Sequence, residues 1–236
     1  MIAVRNLHKK FGKNQVLKGV DLNLDTPGIF AILGPNGSGK TTLIKAILGM
    51  VLPNKGEIIF QEKSIKKEWK YRKSINYLPQ IANFPGNLRL RELLTMIKDI
   101  RGLQTPSEER LIQLFALKPF LNKKLSHLSG GTRQKVNLVL AFMNESPVFI
   151  LDEPTTGLDP VSLVHLKELI MEEKEKGKTI LISSHIMSFV NEVADEVVFL
   201  LEGKIYFQGS VQALKEMTHE TDFEKAIAKV LSQENA

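Results

Sequence analysis

The chain has 236 residues, 43% hydrophobic and 25% charged, the make-up of an ordinary globular protein with one large domain or two small ones and a sizeable core. It contains no cysteine, which excludes disulfides, zinc–thiolate sites and iron–sulfur clusters. Its 32 basic and 26 acidic residues leave a net charge of +6, which permits an anionic partner and requires none. No apolar run approaches the roughly 18 residues of a membrane span. Residues 1–10 lack the apolar stretch of about 7–15 residues that a secretory signal needs, so the expectation is a cytoplasmic chain.

Residues 2–7 and 16–24 carry alternating apolar positions, Val20, Leu22 and Leu24 among them, and read as β-strands. Asp25-Thr26-Pro27-Gly28 marks a turn. Residues 29–33 are apolar at every position, which suits a strand covered on both faces. Residues 41–48 form a short helical pattern that Gly49 stops. Residues 62–73 hold six basic side chains (Lys63, Lys66, Lys67, Lys70, Arg72, Lys73) and two acidic ones (Glu62, Glu68), and read as a solvated loop or helix face. A membrane- or RNA-facing patch is the weaker reading there, since only Trp69 and Tyr71 offer stacking groups.

From about residue 81 to 143 the apolar spacing becomes helical, with breaks at Pro85, Gly86 and Pro106. Val136, Val139, Leu140 and Met143 line one face of its last helix. Residues 148–151 and 179–182 are two more fully apolar strands. Asp159-Pro160, an N-cap followed by proline, opens a helix that carries Val161, Val164 and Leu169 and ends at Gly177. Residues 197–201 are another strand-sized run, and the tail after Gly209 reads as one or two helices. The alternation of strands and helices predicts an α/β fold with a partly parallel sheet and a mostly helical insertion at about residues 81–143.

Three motifs carry chemistry. Gly34-Pro35-Asn36-Gly37-Ser38-Gly39-Lys40-Thr41 follows a strand and opens a helix, the setting of a phosphate-binding loop. Its glycines let backbone amides wrap an anion, and the helix start favours negative charge. Lys40 supplies a cation for the outer phosphates and the Thr41 hydroxyl a ligand for Mg²⁺. Val148-Phe149-Ile150-Leu151-Asp152-Glu153 is an apolar strand ending in two carboxylates, at the sheet edge where α/β proteins bind ligands. Asp152 is assigned to the metal and Glu153 to an attacking water. Leu128-Ser129-Gly130-Gly131 opens a helix and exposes a second set of amides to an anion, or is an ordinary serine N-cap. Thr132 does not complete a capping box.

Three single residues are weaker signals. His185 ends the strand of residues 179–184 and, if that strand ends near Asp152, offers a donor to a terminal phosphate. Gln80 follows residues 75–79 and offers a ligand for Mg²⁺ or a hydrogen bond to water. Phe11, taken alone, reads as core rather than as a stacking group.

Together these residues resemble the ATP-binding subunit of ABC transporters, over essentially the whole chain and in the same order. That family's phosphate loop falls on residues 34–42, ending in Thr42, its glutamine loop on Gln80 and its signature on residues 128–132. Its Walker B strand falls on residues 148–152 with the catalytic glutamate at Glu153, its D-loop on residues 157–159 including Asp159, and its switch histidine on His185. Phe11 and Val16 match the positions that hold adenine. The chain departs from the pattern at Thr132, where the family usually has glutamine, and at Phe11, where tyrosine is common. Phenylalanine keeps the π face, and stacking of this kind is worth roughly 1–3 kcal/mol.

The resemblance implies a P-loop NTPase core with a RecA-like mixed sheet, an N-terminal antiparallel β subdomain and an inserted α-helical subdomain, all within one ATP-binding domain of residues 1–236. It implies ATP and Mg²⁺ as cofactors, the metal held by Thr41, Gln80 and Asp152. It implies hydrolysis by Glu153 and His185, with each ATP clasped between residues 34–42 of one copy and Ser129, Gly130 and Gly131 of a second. It implies a permease on a separate chain, peripheral attachment to the inner face of the cell membrane through that permease, and no nucleic-acid partner. Residues 81–90 are a candidate contact for the permease, or a plain loop. Tyr77-Leu78-Pro79-Gln80 and Phe84-Pro85-Gly86-Asn87-Leu88 are similar to subunits serving exporter-type permeases, in particular the copper-processing ATPases of nitrous-oxide-reductase maturation. The short tail after Gly209 points the same way. A soluble ABC-type ATPase acting on DNA or ribosomes would need a long coiled-coil insertion or a second ATPase domain, and neither fits 236 residues. A nucleotide sensor is disfavoured by Glu153, and a small-molecule kinase leaves residues 129–131 unexplained.

Overall fold

The computed structural model describes residues 2–102 and 108–232, so the predicted break at Pro106 lies outside the described residues. The strands are β1 (Ile2–Phe11), β2 (Asn14–Leu24), β3 (Gly28–Leu33), β4 (Lys55–Phe60), β5 (Lys63–Ser64), β6 (Ile75–Leu78), β7 (Val148–Asp152), β8 (Thr179–Ser183), β9 (Glu196–Leu201) and β10 (Lys204–Ser210). The α-helices are α1 (Lys40–Ile47), α2 (Leu90–Arg101), α3 (Glu108–Leu114), α4 (Gly130–Phe142), α5 (Pro160–Glu175), α6 (Met187–Val193), α7 (Val211–Thr218) and α8 (Phe223–Ser232).

Two sheets form. One is antiparallel, in the order β2-β1-β4-β5. The other runs β10-β9-β3-β8-β7-β6 and is parallel except for β10, which pairs antiparallel with β9. The fully apolar strands of the second sheet explain its burial. Side chains alternate across a strand, so Phe30 and Ile32 of β3 join a core with Val4, Leu22, Leu43 and Ile44, from the antiparallel sheet and α1. Ile29, Ala31 and Leu33 face the other way, into a core with Leu93, Val139, Leu166 and Phe189 from the helices. The mixed sheet is therefore the middle of three layers, and strands buried on both faces need no polar alternation.

The helices between β6 and β7 pack on one face of this sheet, with Phe142 of α4 stacked on Phe149 of β7 at 5.2 Å between ring centroids. In α4, Val136, Val139 and the capping Met143 are buried as expected, while Leu140 is only partly so. In α5 the expected face is rotated. Leu169 is buried with Ser162, Leu166 and Ile170, but Val161 and Val164 are 65% and 52% exposed. The buried positions repeat at helical spacing and the two valines fall beside them, on the more exposed side of the helix. The basic stretch of residues 62–73 is a solvated surface: Trp69 is exposed, and Tyr71 packs on Phe60 and donates its hydroxyl to the Ile47 carbonyl at 2.9 Å. No described helix is long and apolar enough to cross a membrane.

Four parallel strands, β3, β8, β7 and β6, end at one edge. Their registers are level: Ser183 of β8 lies opposite Ile32 of β3 and Asp152 of β7, and Leu151 lies opposite Leu78 of β6. This is the edge where open α/β sheets bind ligands, and it receives the loops that carry Gly34, Gln80, Glu153 and His185.

Phe149 is 1% exposed at the junction of sheet and α4. Phe149→Ala is expected to lower stability by about 3–5 kcal/mol through transfer and cavity terms, measured as a shift in the urea unfolding midpoint.

Candidate functional site

The phosphate loop is shaped by a position only glycine can occupy. Gly34 has φ 151°, and a Cβ there would lie 2.0 Å from the Leu200 carbonyl oxygen. The loop turns into α1 through Gly39, which caps the helix with no side-chain hydrogen bond, so no side chain competes for the first-turn amides. The Lys40 ammonium folds back and donates to the carbonyls of Gly34 at 2.7 Å and Pro35 at 3.2 Å. Burial holds its pKa below the usual lysine value, against the opposing pull of the Glu153 and Asp152 carboxylates. Pro35, Asn36 and Gly37 are exposed, Ser38 is buried, and Thr41 and Thr42 are partly buried in the first turn.

Asp152 is 1% exposed. Its Oδ1 accepts a hydrogen bond from the Ser183 hydroxyl at 2.5 Å, whereas Oδ2 is buried with no hydrogen-bond partner. The Ser38 hydroxyl is likewise buried and unpaired. Such orphaned oxygens are costly, and a carboxylate oxygen left bare beside a phosphate loop is what a hard cation requires. The described residues hold no cluster of three or more His, Asp or Glu side chains able to bind a metal by themselves. That suits Mg²⁺, which takes one or two protein oxygens and completes its shell from water and phosphates. Thr41, Gln80 and Asp152 supply only oxygen donors and fit that demand.

Glu153 has φ 51°, a left-handed conformation that costs a non-glycine residue about 1–3 kcal/mol. Two bonds hold it: its amide donates to the Ser183 carbonyl at 3.1 Å and to the Ser183 hydroxyl at 3.0 Å. The Glu153 side chain is 7% exposed, and its Oε2 lies 2.7 Å from His185 Nδ1, on a ring whose side chain is 63% exposed. The structure thus brings Asp152, Glu153, Lys40 and His185 into one electrostatic group around Ser183. Sequence reading does not single out Ser183, although a serine closing an apolar strand just before His185 is the signal that marks it.

A second group forms at α4. Ser129 is the N-cap, its hydroxyl accepting from the Thr132 amide at 3.3 Å and lying 2.9 Å from the Thr132 hydroxyl. Gly130 is exposed and Gly131 partly buried. A Cβ on Gly131 would sit 2.7 Å from the Gly157 carbonyl oxygen, so the turn of residues 157–159 presses against the start of α4. Asp159 caps α5 through Ser162 N and Oγ, both at 2.9 Å, and pairs with Lys135 of α4 at 2.6 Å. The Lys135 ammonium and these caps hold the Asp159 carboxyl well below the usual carboxylate range. The polar capacity of Asp159 is therefore engaged within the chain. Lys135 is also missed by sequence reading, since a lone lysine on a helix gives no sign of its partner.

The remaining candidates are peripheral. Phe11 is 50% exposed with the Lys9 ammonium 4.8 Å from its ring centroid, which corrects its reading as a core residue: at the end of β1 the ring has no layer to enter. Val16 adjoins the phosphate loop, its carbonyl oxygen 3.2 Å from where a Cβ on Gly39 would be. Gln80 is exposed just past β6.

Residues 17–156 match the family described as ABC transporter, and residues 123–191 also match an AAA domain family. The lantibiotic transport ATP-binding protein SrtF of Streptococcus pyogenes is 33% identical over 211 residues, 88% of this chain and 90% of that protein. The L-cystine import ATP-binding protein TcyC of Bacillus subtilis is 30% identical over 245 residues, 98% of this chain and 99% of that protein. A solved ATP-binding subunit of an ABC transporter superposes with a TM-score of 0.91 at 30% identity, covering 98% of this chain and 99% of that one. A dimeric post-hydrolysis structure of the ATP-binding cassette MJ0796 with ADP and Pi superposes with a TM-score of 0.79 at 25% identity, covering 89% and 98%.

The pair of Asp159 and Lys135 predicts a pH signature. Asn caps helices as well as Asp, so Asp159→Asn removes the charge and leaves the cap. A carboxyl whose native pKa is depressed stabilises the fold above its ordinary value, here 3.8, and loses that contribution as pH falls toward the lowered native value. The stability gap between wild type and Asp159→Asn is expected to be at most about 1 kcal/mol for so exposed a pair. Measured by urea unfolding, it should be constant near neutrality and close below about pH 4.

Proposed function

This chain belongs to the ABC transporter family as one of its ATPase subunits, and from that premise we propose that it hydrolyses Mg²⁺-ATP at residues 34–42 with Glu153 as the base and drives a permease carried on a separate chain. The observation that carries the reading is the buried Glu153 carboxylate, held in a left-handed backbone conformation at 2.7 Å from His185, level with an Asp152 whose Oδ2 is unpaired.

The chemistry follows from these groups. Lys40 exchanges the carbonyls of Gly34 and Pro35 for phosphate oxygens, which offsets the desolvation it already bears in the free protein. Thr41, Asp152 and Gln80 would hold Mg²⁺, which when bound would neutralise charge on the transferred phosphoryl group. Glu153 accepts a proton from the attacking water. His185 Nδ1 is engaged with Glu153 Oε2 at 2.7 Å, which leaves Nε2 of the exposed ring to face the terminal phosphate. Ser183 holds both acidic residues in place without touching substrate.

Completion of the site takes a second copy. Residues 129–131 are tied to the turn of residues 157–159 rather than to the phosphate loop, and Val161 and Val164 beside that turn are exposed. We read this group as the face that closes over ATP bound to a partner, about the two-fold axis usual for dimers, with Phe11 and Val16 against the adenine. Pairing in the MJ0796 cassette supports this. Residues 1–236 then act as one ATP-binding domain whose helical part, near residues 81–143, meets the permease through residues 81–90, where Ile81 is 78% exposed. The chain would work in the cytoplasm, on the inner face of the membrane through that permease. Residues 77–88 support an exporter-type partner.

Glu153→Gln is expected to lower ATP turnover by about 10²–10⁴-fold while ATP still binds and holds a dimer visible by light scattering. Wild-type turnover in that variant would remove Glu153 from the role. Lys40→Ala should abolish binding of a fluorescent ATP analogue and leave the thermal unfolding temperature of the nucleotide-free chain no lower than wild type, because it removes a partly desolvated cation.

A further inference from the structure

The ends of β6 and β7 are joined by a buried polar bridge that the chemistry above does not use. Gln134 and Asn137, three residues apart on α4, are 4% and 3% exposed. Asn137 Nδ2 donates to the Pro79 carbonyl at 2.9 Å and to Gln134 Oε1 at 3.5 Å. Gln134 Nε2 in turn donates to the Pro154 carbonyl at 3.0 Å. Pro79 precedes Gln80 in the chain, and Pro154 follows Glu153. Proline has no N–H, so the carbonyl is its one backbone hydrogen-bonding group.

The neighbours of these amides on α4, Val136, Leu138 and Val139, are wholly buried and apolar. Two amides in such surroundings are favourable only while every bond is made. Their geometry makes each bond to a loop that holds a site residue, and the Asn137–Gln134 contact links the two loops to each other. We propose that Asn137 is a positioning residue: with Gln134 it sets the spacing between the loop of Gln80 and the loop of Glu153, and so the placement of the water-activating carboxylate. This rests on the reading of Glu153 as the base.

The test compares steady-state ATP hydrolysis by the full chain carrying Asn137→Ala with that carrying Val139→Ala, a truncation on the same helix that breaks no polar bond. Asn137→Ala is expected to lower kcat about tenfold, the scale of a small misplacement of a reacting group, with KM for ATP within about twofold of wild type. Val139→Ala should lower the melting temperature at least as much and leave kcat within about twofold. Asn137→Leu and Gln134→Met, which keep the approximate outline and length and remove the donors, should reproduce the loss in kcat, and stand in if the alanine variant does not fold. Wild-type kcat in the donor-free variants, or a loss in Val139→Ala as large as theirs, overturns the proposal. Glu153→Gln, assayed alongside, separates the two claims: if it turns over normally the base assignment fails, whatever the Asn137 variants do.

Discussion

Ser183 stands opposite Ile32 on one side and Asp152 on the other, and its hydroxyl accepts from the Glu153 amide while donating to Asp152 Oδ1. One small side chain thus uses both sides of its hydrogen-bonding capacity to fix two carboxylates. It can do so because β3, β8 and β7 are parallel, adjacent and level. A slip of one residue between β7 and β8 would carry Asp152 away from Ser183 and turn its side chain to the other face. Strand register, secured by apolar layers on both sides of the sheet, is what places an acid pair, a histidine and a phosphate loop along one edge.

The hydrogen bonds divide the site into two groups that answer to different elements. Asp152, Glu153 and His185 lie at or just past the ends of the parallel strands, and Lys40 opens α1 after β3. Ser129, Gly131 and Asp159 belong to α4 and the turn packed on it. Helix α4 touches both, through Lys135 to Asp159 and through Gln134 and Asn137 to the loops after β7 and β6. A motion of α4 against the sheet therefore changes the bonds of both groups at once. Such an element has the contacts needed to relate the two groups.

The phosphate loop was legible in the sequence because its physics is local. Glycines at 34, 37 and 39, a strand before them and Lys40 at a helix start all act within one turn of chain. The pair of carboxylates after an apolar strand was legible for the same reason. The helical face of α5 was not: Val161 and Val164 are as apolar as Leu169, and only the packing of neighbours decided which were buried. Phe11 reads as core from its type and is half exposed because β1 ends beyond the layers. Strands β4 and β10 and helix α6 also escaped the reading, the strands being half exposed and the helix short, so that their periodic signal is weak.

The amino-acid sequence by itself determined the phosphate loop, the fully apolar strands and the kind of chemistry, since each depends on residues close together in the chain. Tertiary structure alone decided that Glu153 meets His185 across 32 positions, that Asp152 keeps one oxygen unpaired, and that Gln134 and Asn137 span two loops. Those are properties of strand register and helix packing, and no short window of sequence contains both partners.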